Sequence, residues 1–464
     1  MKLVPVVFAL ALAAFVSGCS PAVSIRPLYT EDDLKKPIIE PRIEGGWISP
    51  DLDKAGTDGE LSLKWKIDPP KRTGLSYSVE VRAAKPDPRE GEEVTSYNVR
   101  LVPIEDKIFF DADFEEQKQG QHKLNRGDIA GLVPAHLIGR VWVQQDFLRI
   151  ALFDSKWVKD NFPETFRESV DAPDVDISVI TGSTGELRKF VLKNGENEKA
   201  LSYVFYLCRP GTDCPVRAAE DALGRTPDDD DLLDDAASLF LKRGNYARAA
   251  ALRRHDADLD SGIAISHARL AEALLFNREF VGARREFAVA QKITLGESPT
   301  AKGAQQKDDL ESAYADAVEG IVWSYFLEGA NAEAVNAAKQ YRLPKDHASV
   351  NPILLSYFSL LRLGRRAEAE SLLKEETARL TGPAEELILL LDAQGKVTEG
   401  FPYVDSNSES LRRYSFFSGL HDIATGHQDT ATRQLGLAAA GGSDSVIALA
   451  ARIELERLGP KPKK

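Results

Sequence analysis

Residues 226–252 read "TPDDDDLLDDAASLFLKRGNYARAAAL", and here the chain changes period. Leu232, Leu233, Ala236, Ala237, Leu239 and Phe240 recur as one face of a helix, whereas the residues before this point alternate with period two. Thr226 is the expected N-cap and Pro227 the first helical residue, with Asp228 and Asp229 in the first turn, where the helix dipole favours anions. Capping thus accounts for the aspartate run, and a calcium site is not needed to explain it. Gly244-Asn245-Tyr246, followed by Ala249, reads as a turn into a second helix. Arg278-Glu279-Phe280, followed by Ala283, repeats it at an offset of 34 residues. The same turn-plus-alanine spacing recurs at Gly329/Ala334, Gly364/Ala369 and Gly426/Ala431.

This spacing resembles the tetratricopeptide repeat, as do small Ala237, Ala271 and Gly419 in first helices, aromatic Tyr246 and Phe280 at the turn, and Phe287 and Ala290 in a second helix. Small residues let antiparallel helices approach, and the turn aromatic fills the gap beside them. The chain departs from the pattern at Arg278, which replaces a turn glycine, and at Asn331 and Arg366, which replace turn aromatics. "LGESPTAKGAQQ" (295–306) is expected to be a loop, and "AEELILLLDAQGK" (384–396) an additional helix. "DSVIALAARIELERLG" (444–459) is expected to cap the stack. The resemblance implies a groove lined by first helices, which would involve His267, Tyr325 and Tyr357.

Upstream, "ELSLKWKID" (60–68) places Leu61, Leu63, Trp65 and Ile67 on one face, and "YSVEVRA" (77–83) does so with Tyr77, Val79 and Val81. "RVWVQQDFLRIALF" (140–153) offers two strands around a Gln-Asp turn. "SKWVKDNF" (155–162) reads as a helix, and Ser183-Thr184-Gly185-Glu186 is a capping box opening another that stops at Gly195. Gly45-Gly46-Trp47 resembles the G-x-W of lipocalin-like barrels. Its simplest meaning is a tryptophan plugging one end of a β-structure, and the alternative is a ligand cavity beside Trp47. The expected fold is α+β, an antiparallel partly closed barrel or sandwich followed by an α-solenoid.

The amino terminus has one basic residue, Lys2, and an apolar run from Leu3 to Val16, too short to span a bilayer comfortably. Val16-Ser17-Gly18-Cys19 resembles the lipobox of bacterial lipoproteins. That resemblance implies cleavage before Cys19, acylation of its thiol, and anchoring in the cell envelope. Ser20 favours the periplasmic face of the outer membrane. Several acyl chains hold a protein firmly where one does not. The expected division is a signal peptide at 1–18, a lipidated tether at 19–24, a β-rich domain at 25–207, a linker at 208–225, the solenoid at 226–458 and a basic tail at 459–464. Within the linker an exported compartment and the Pro210-Gly211 bend favour a Cys208–Cys214 disulfide.

The formal net charge of -13 disfavours nucleic acid as a partner. The seven histidines form no H-x-H or H-E-x-x-H, and no P-loop or dinucleotide fingerprint is present, so no metal, cofactor or catalytic residue is expected. "DADLDSG" (256–262) fails the calcium-loop spacing. The leading expectation is a lipid-anchored, non-enzymatic scaffold whose solenoid binds an envelope protein. The alternatives are a carrier of a small apolar ligand in the β half and, ranked last, a hydrolase with a carboxylate site.

Overall fold

A computed structural model of the chain describes residues 21–49, 61–67, 76–83, 94–114, 136–163, 167–172, 175–297, 304–341, 349–379 and 409–459. Cys19, the signal segment, the 384–396 helix and residues 460–464 of the expected tail lie outside the described residues. The chain divides into two compact units, 1–225 and 226–464.

The first unit is built on a closed antiparallel barrel of eight strands. Around the ring run β2 (Gly45–Ile48), β3 (Leu61–Ile67), β4 (Tyr77–Ala83), β5 (Val94–Ile104), β6 (Lys107–Phe114), β7 (His136–Val143), β8 (Phe147–Phe153) and β11 (Leu201–Cys208), which returns to β2. Closure decides between barrel and sandwich: every ring strand has a neighbour on both sides, with β11 meeting β2 at Cys208 and Ile48. Alternation sorts the side chains. Leu63, Trp65, Val79, Val81, Val99, Phe110, Leu148 and Ile150 face the interior. On the outer face, Val102, Phe109, Ile138, Ala151 and Phe153 form a second core. Helices α2 (Ser155–Asn161) and α3 (Thr184–Asn194) cover that core with Val158, Leu187, Phe190 and Val191. Ser183 and Glu186 make the reciprocal capping box that starts α3. A short helix α1 (Glu31–Lys35) precedes the barrel.

The stretch expected as a tether joins the fold early. Pro21 bridges Asp154, the Ala22 N–H donates to the Phe153 carbonyl at 2.8 Å, and Val23–Ser24 form strand β1. Strand β1 lies between β7 and β10 (Val175–Ile180), which pairs in turn with β9 (Arg167–Ala172). The apolar side chain of Ala22 enters the outer core, so the chain is held from Pro21 onward. The linker reading also needs correction, because helix α4 (Cys214–Arg225) belongs to the first unit. Its Cys214 is disulfide-bonded to Cys208 at the end of β11, and Asp221 accepts from Tyr206 Oη and Arg225.

The second unit contains eleven helices among the described residues. They pair as α5 (Asp230–Lys242) with α6 (Tyr246–Leu259), α7 (Ala264–Phe276) with α8 (Phe280–Glu297), α9 (Ala304–Glu328) with α10 (Asn331–Ala338), α11 (Asn351–Arg362) with α12 (Arg366–Arg379), and α13 (Glu409–Thr425) with α14 (Gln428–Ala439). The last helix is α15 (Val446–Leu458). Each pair turns through one left-handed residue: Gly244 (φ 73°), Arg278 (62°), Gly329 (89°), Gly364 (75°) and Gly426 (84°). Close approach explains the small residues. A Cβ on Gly419 would lie 2.8 Å from Leu435 Cγ of the partner helix, and the Phe287 ring fills the space beside Gly320.

Two local expectations change. The N-cap of α5 is Asp229, whose carboxylate accepts from the Leu232 N–H at 3.0 Å, and Thr226-Pro227 form the turn before it. The supposed loop at 295–306 is helical wherever it is described. Leu295–Glu297 end α8 and Ala304–Gln306 begin α9, so extra residues lengthen the helices.

Helix α15 does more than end the stack. Glu456 pairs with Arg278 in a two-point contact of 2.7 and 2.9 Å, Glu454 with Arg362 at 2.7 Å, and Arg457 donates to the Leu327 carbonyl at 2.5 Å. Just before it, Ser443 bonds to Lys242 and Tyr246. One segment thus touches the turns or ends of four successive first helices.

Candidate functional site

The barrel interior holds a void of about 60 Å³. Its walls come from six of the eight ring strands already named, β3 through β8, together with Phe205 and Leu207 of β11. Every lining side chain is apolar or aromatic. The size follows from the sequence: the aromatics Trp65, Tyr97, Phe110 and Phe205 narrow the barrel, while Ala112 and the inward-facing Gly139 give room. Gly139 cannot be enlarged, since a Cβ would run into the Ala151 carbonyl and the Phe110 ring.

The void exposes no polar surface, although two of its lining side chains carry a polar atom. The Trp65 indole N–H is buried and has no acceptor among the described residues. Burial pushes the Tyr97 phenol well above its ordinary range, so it stays a neutral hydroxyl at every physiological pH. An apolar void stays dry. An orphaned donor costs about 1–3 kcal/mol.

Trp47 belongs to the barrel core and is not among the residues that line the void. Its role is structural. The Trp47 indole donates to the Ile43 carbonyl at 2.7 Å, in the single 3-10 turn Pro41–Ile43 that enters β2. The Arg209 guanidinium lies 3.9 Å from the indole centroid and donates to the Arg42 carbonyl at 2.7 Å. Gly45 makes room for it: φ is 111°, and a Cβ would lie 2.6 Å from Arg209 Nη1.

Other chemistry-bearing groups serve the architecture. Buried Asp111 accepts from the Leu28 N–H at 2.6 Å and meets His136 Nδ1 at 2.7 Å, fixing the N-terminal arm to β6 and β7. Ser24 stands opposite His136 across β1 and β7, but its hydroxyl donates to the Arg26 carbonyl at 2.8 Å, so no serine–histidine bond completes a hydrolytic set. His267 is held by Glu286 at 2.8 Å and the Ser261 carbonyl at 3.1 Å. Arg284 covers Tyr325, and Tyr357 is buried. Asp256 and Ala257 lie within α6. Among the described residues no group of three or more His, Cys, Asp or Glu is arranged to hold a metal, and no helix is long and apolar enough to cross a membrane.

Sequence reading placed Trp65 only on a strand face. A polar-headed aromatic in an otherwise aliphatic alternation is the available signal, but closure of the ring is what isolates its N–H. The chain matches no protein-family model and no curated protein.

Proposed function

We propose that this is a lipid-anchored envelope protein whose barrel holds a small apolar group. The void, walled by apolar surface alone, carries this reading. Filling it with a short apolar chain supplies the contacts that its lining side chains lack. A short alkane titrated into the purified protein should change tryptophan fluorescence at lower concentration than the 2-alkanone of equal length, whose carbonyl would be buried unpaired. No response to either compound would overturn the reading.

The anchor rests on Val16-Ser17-Gly18-Cys19. Cys19→Ser should leave the signal uncut or release the chain from the membrane fraction. A cut chain that stays membrane-bound would refute it. A second reading, a tetratricopeptide-like arm for a protein partner, is favoured by exposed Leu259, Ile263 and Ile265 around the α6–α7 connection. Ile263→Asp with Ile265→Asp should abolish one discrete co-purifying protein if that arm is used.

A further inference from the structure

We infer that the outer face formed by α2 and α3 rests on the anionic lipid headgroups of the membrane that holds Cys19. The inference depends on the proposed acylation of Cys19 and concerns a different surface from the barrel interior. Only Ser20 separates Cys19 from Pro21. Consecutive Cα atoms are 3.8 Å apart, so the acylated residue lies within about 7.6 Å of Pro21. Pro21 is fastened to Asp154, the N-cap of α2, and Ala22 is sealed into the core beneath both helices. With no free tether to lift the body, whatever surrounds Pro21 must meet the bilayer.

The surroundings suit that position. Lys156 on α2, Lys189 and Lys193 on α3 and Lys199 in the following 3-10 turn are exposed, in a chain whose formal net charge is -13. Trp157 and Leu192 are half-buried beside Phe190 and Phe162. Two of the acids nearby are engaged elsewhere. Glu196 pairs with Arg140, and Glu198 pairs with Arg149 and Arg225, leaving Asp160 on α2 and the capping carboxylate of Glu186 on α3 as charged acids facing solvent beside the four lysines. Lysines around a partly exposed tryptophan are the side chains that sit well at a headgroup interface, where the ring stays at the boundary and the ammonium groups meet phosphate.

The test uses the full-length acylated protein in vesicles of phosphatidylethanolamine and phosphatidylglycerol containing a lipid with a nitroxide headgroup. A fluorophore is placed at Lys156→Cys, or as control at Lys64→Cys. Lys64 is exposed on β3, which stands four strands from β7 whichever way the ring is followed. Loss of fluorescence at position 156 with none at position 64 is expected. Equal quenching at both positions, or none at either, in protein whose mass shows an acylated Cys19 would overturn the inference and leave the anchor standing. A mass showing unmodified Cys19 would instead refute the anchor, and the inference with it.

Discussion

At the scale of single residues, the left-handed turn positions make a sharp comparison. Four of the five are glycine and the other is Arg278. A side chain in this region costs about 1 kcal/mol relative to glycine. The two-point contact with Glu456 offsets part of that cost, though both side chains are about half exposed and such pairs are worth about 0–1 kcal/mol. Arg278→Gly should therefore be near neutral, while Arg278→Ala keeps the strain and loses the pair. Urea unfolding should separate the two variants by about 1 kcal/mol. Trp65→Phe makes a second test, since it replaces the indole by a smaller phenyl, deletes the orphaned N–H and enlarges the void. The relieved donor and the lost packing oppose each other, so the ligand-free protein should change in stability by less than about 2 kcal/mol. The variant should favour a longer alkane than the parent does, and an unchanged preference for alkane length would show that the void is not the binding site.

Among elements, α15 has the widest reach. Glu454 is 3% exposed and lies between Arg362 and Arg457. Glu454→Ala strands two arginines that keep some access to water, so the loss should be about 2–3 kcal/mol, below that of a fully buried pair. Calorimetry of the helical transition measures it. The neighbouring Glu456 adds a pH dependence. Its hydrogen bond from Arg278 holds the carboxyl below its ordinary value of 4.5. A carboxyl lowered by folding stabilises above its unfolded value and stops doing so as pH falls through the folded one. The α15 contacts should therefore loosen only below about pH 4.5, a response that Glu456→Gln removes. Several elements were legible from local signals alone. "YSVEVRA" forms β4 from its first residue to its last, and the Ser183 box opens α3. The α5 cap was misplaced because Thr226 and Asp229 both satisfy the N-cap preference, and only the path of the chain chooses between them.

For the whole molecule, two compact units with separate cores should unfold in two calorimetric transitions. The Cys208–Cys214 disulfide lies wholly in the first unit and closes a short loop. Reduction should cost that unit about 2 kcal/mol, a fall of about 4–8 °C in its midpoint. The helical transition should stay where it is. A shift of both transitions would show that the units unfold as one.

The period-two alternation before residue 208 and the helical period after residue 226 determined, without any structure, that an antiparallel β unit precedes a helical one. Those periods record which face of each element avoids water, and that preference is local. Tertiary structure decided the rest. Pairing of β11 with β2 closed the ring and set the void, burial of Ala22 drew the N-terminal segment into the fold, and the route of α15 covered the helix turns. Each depends on contacts between residues far apart in the chain, and residues such as Trp65, Ala22 and Glu454 carry no mark of those partners in their own neighbourhoods.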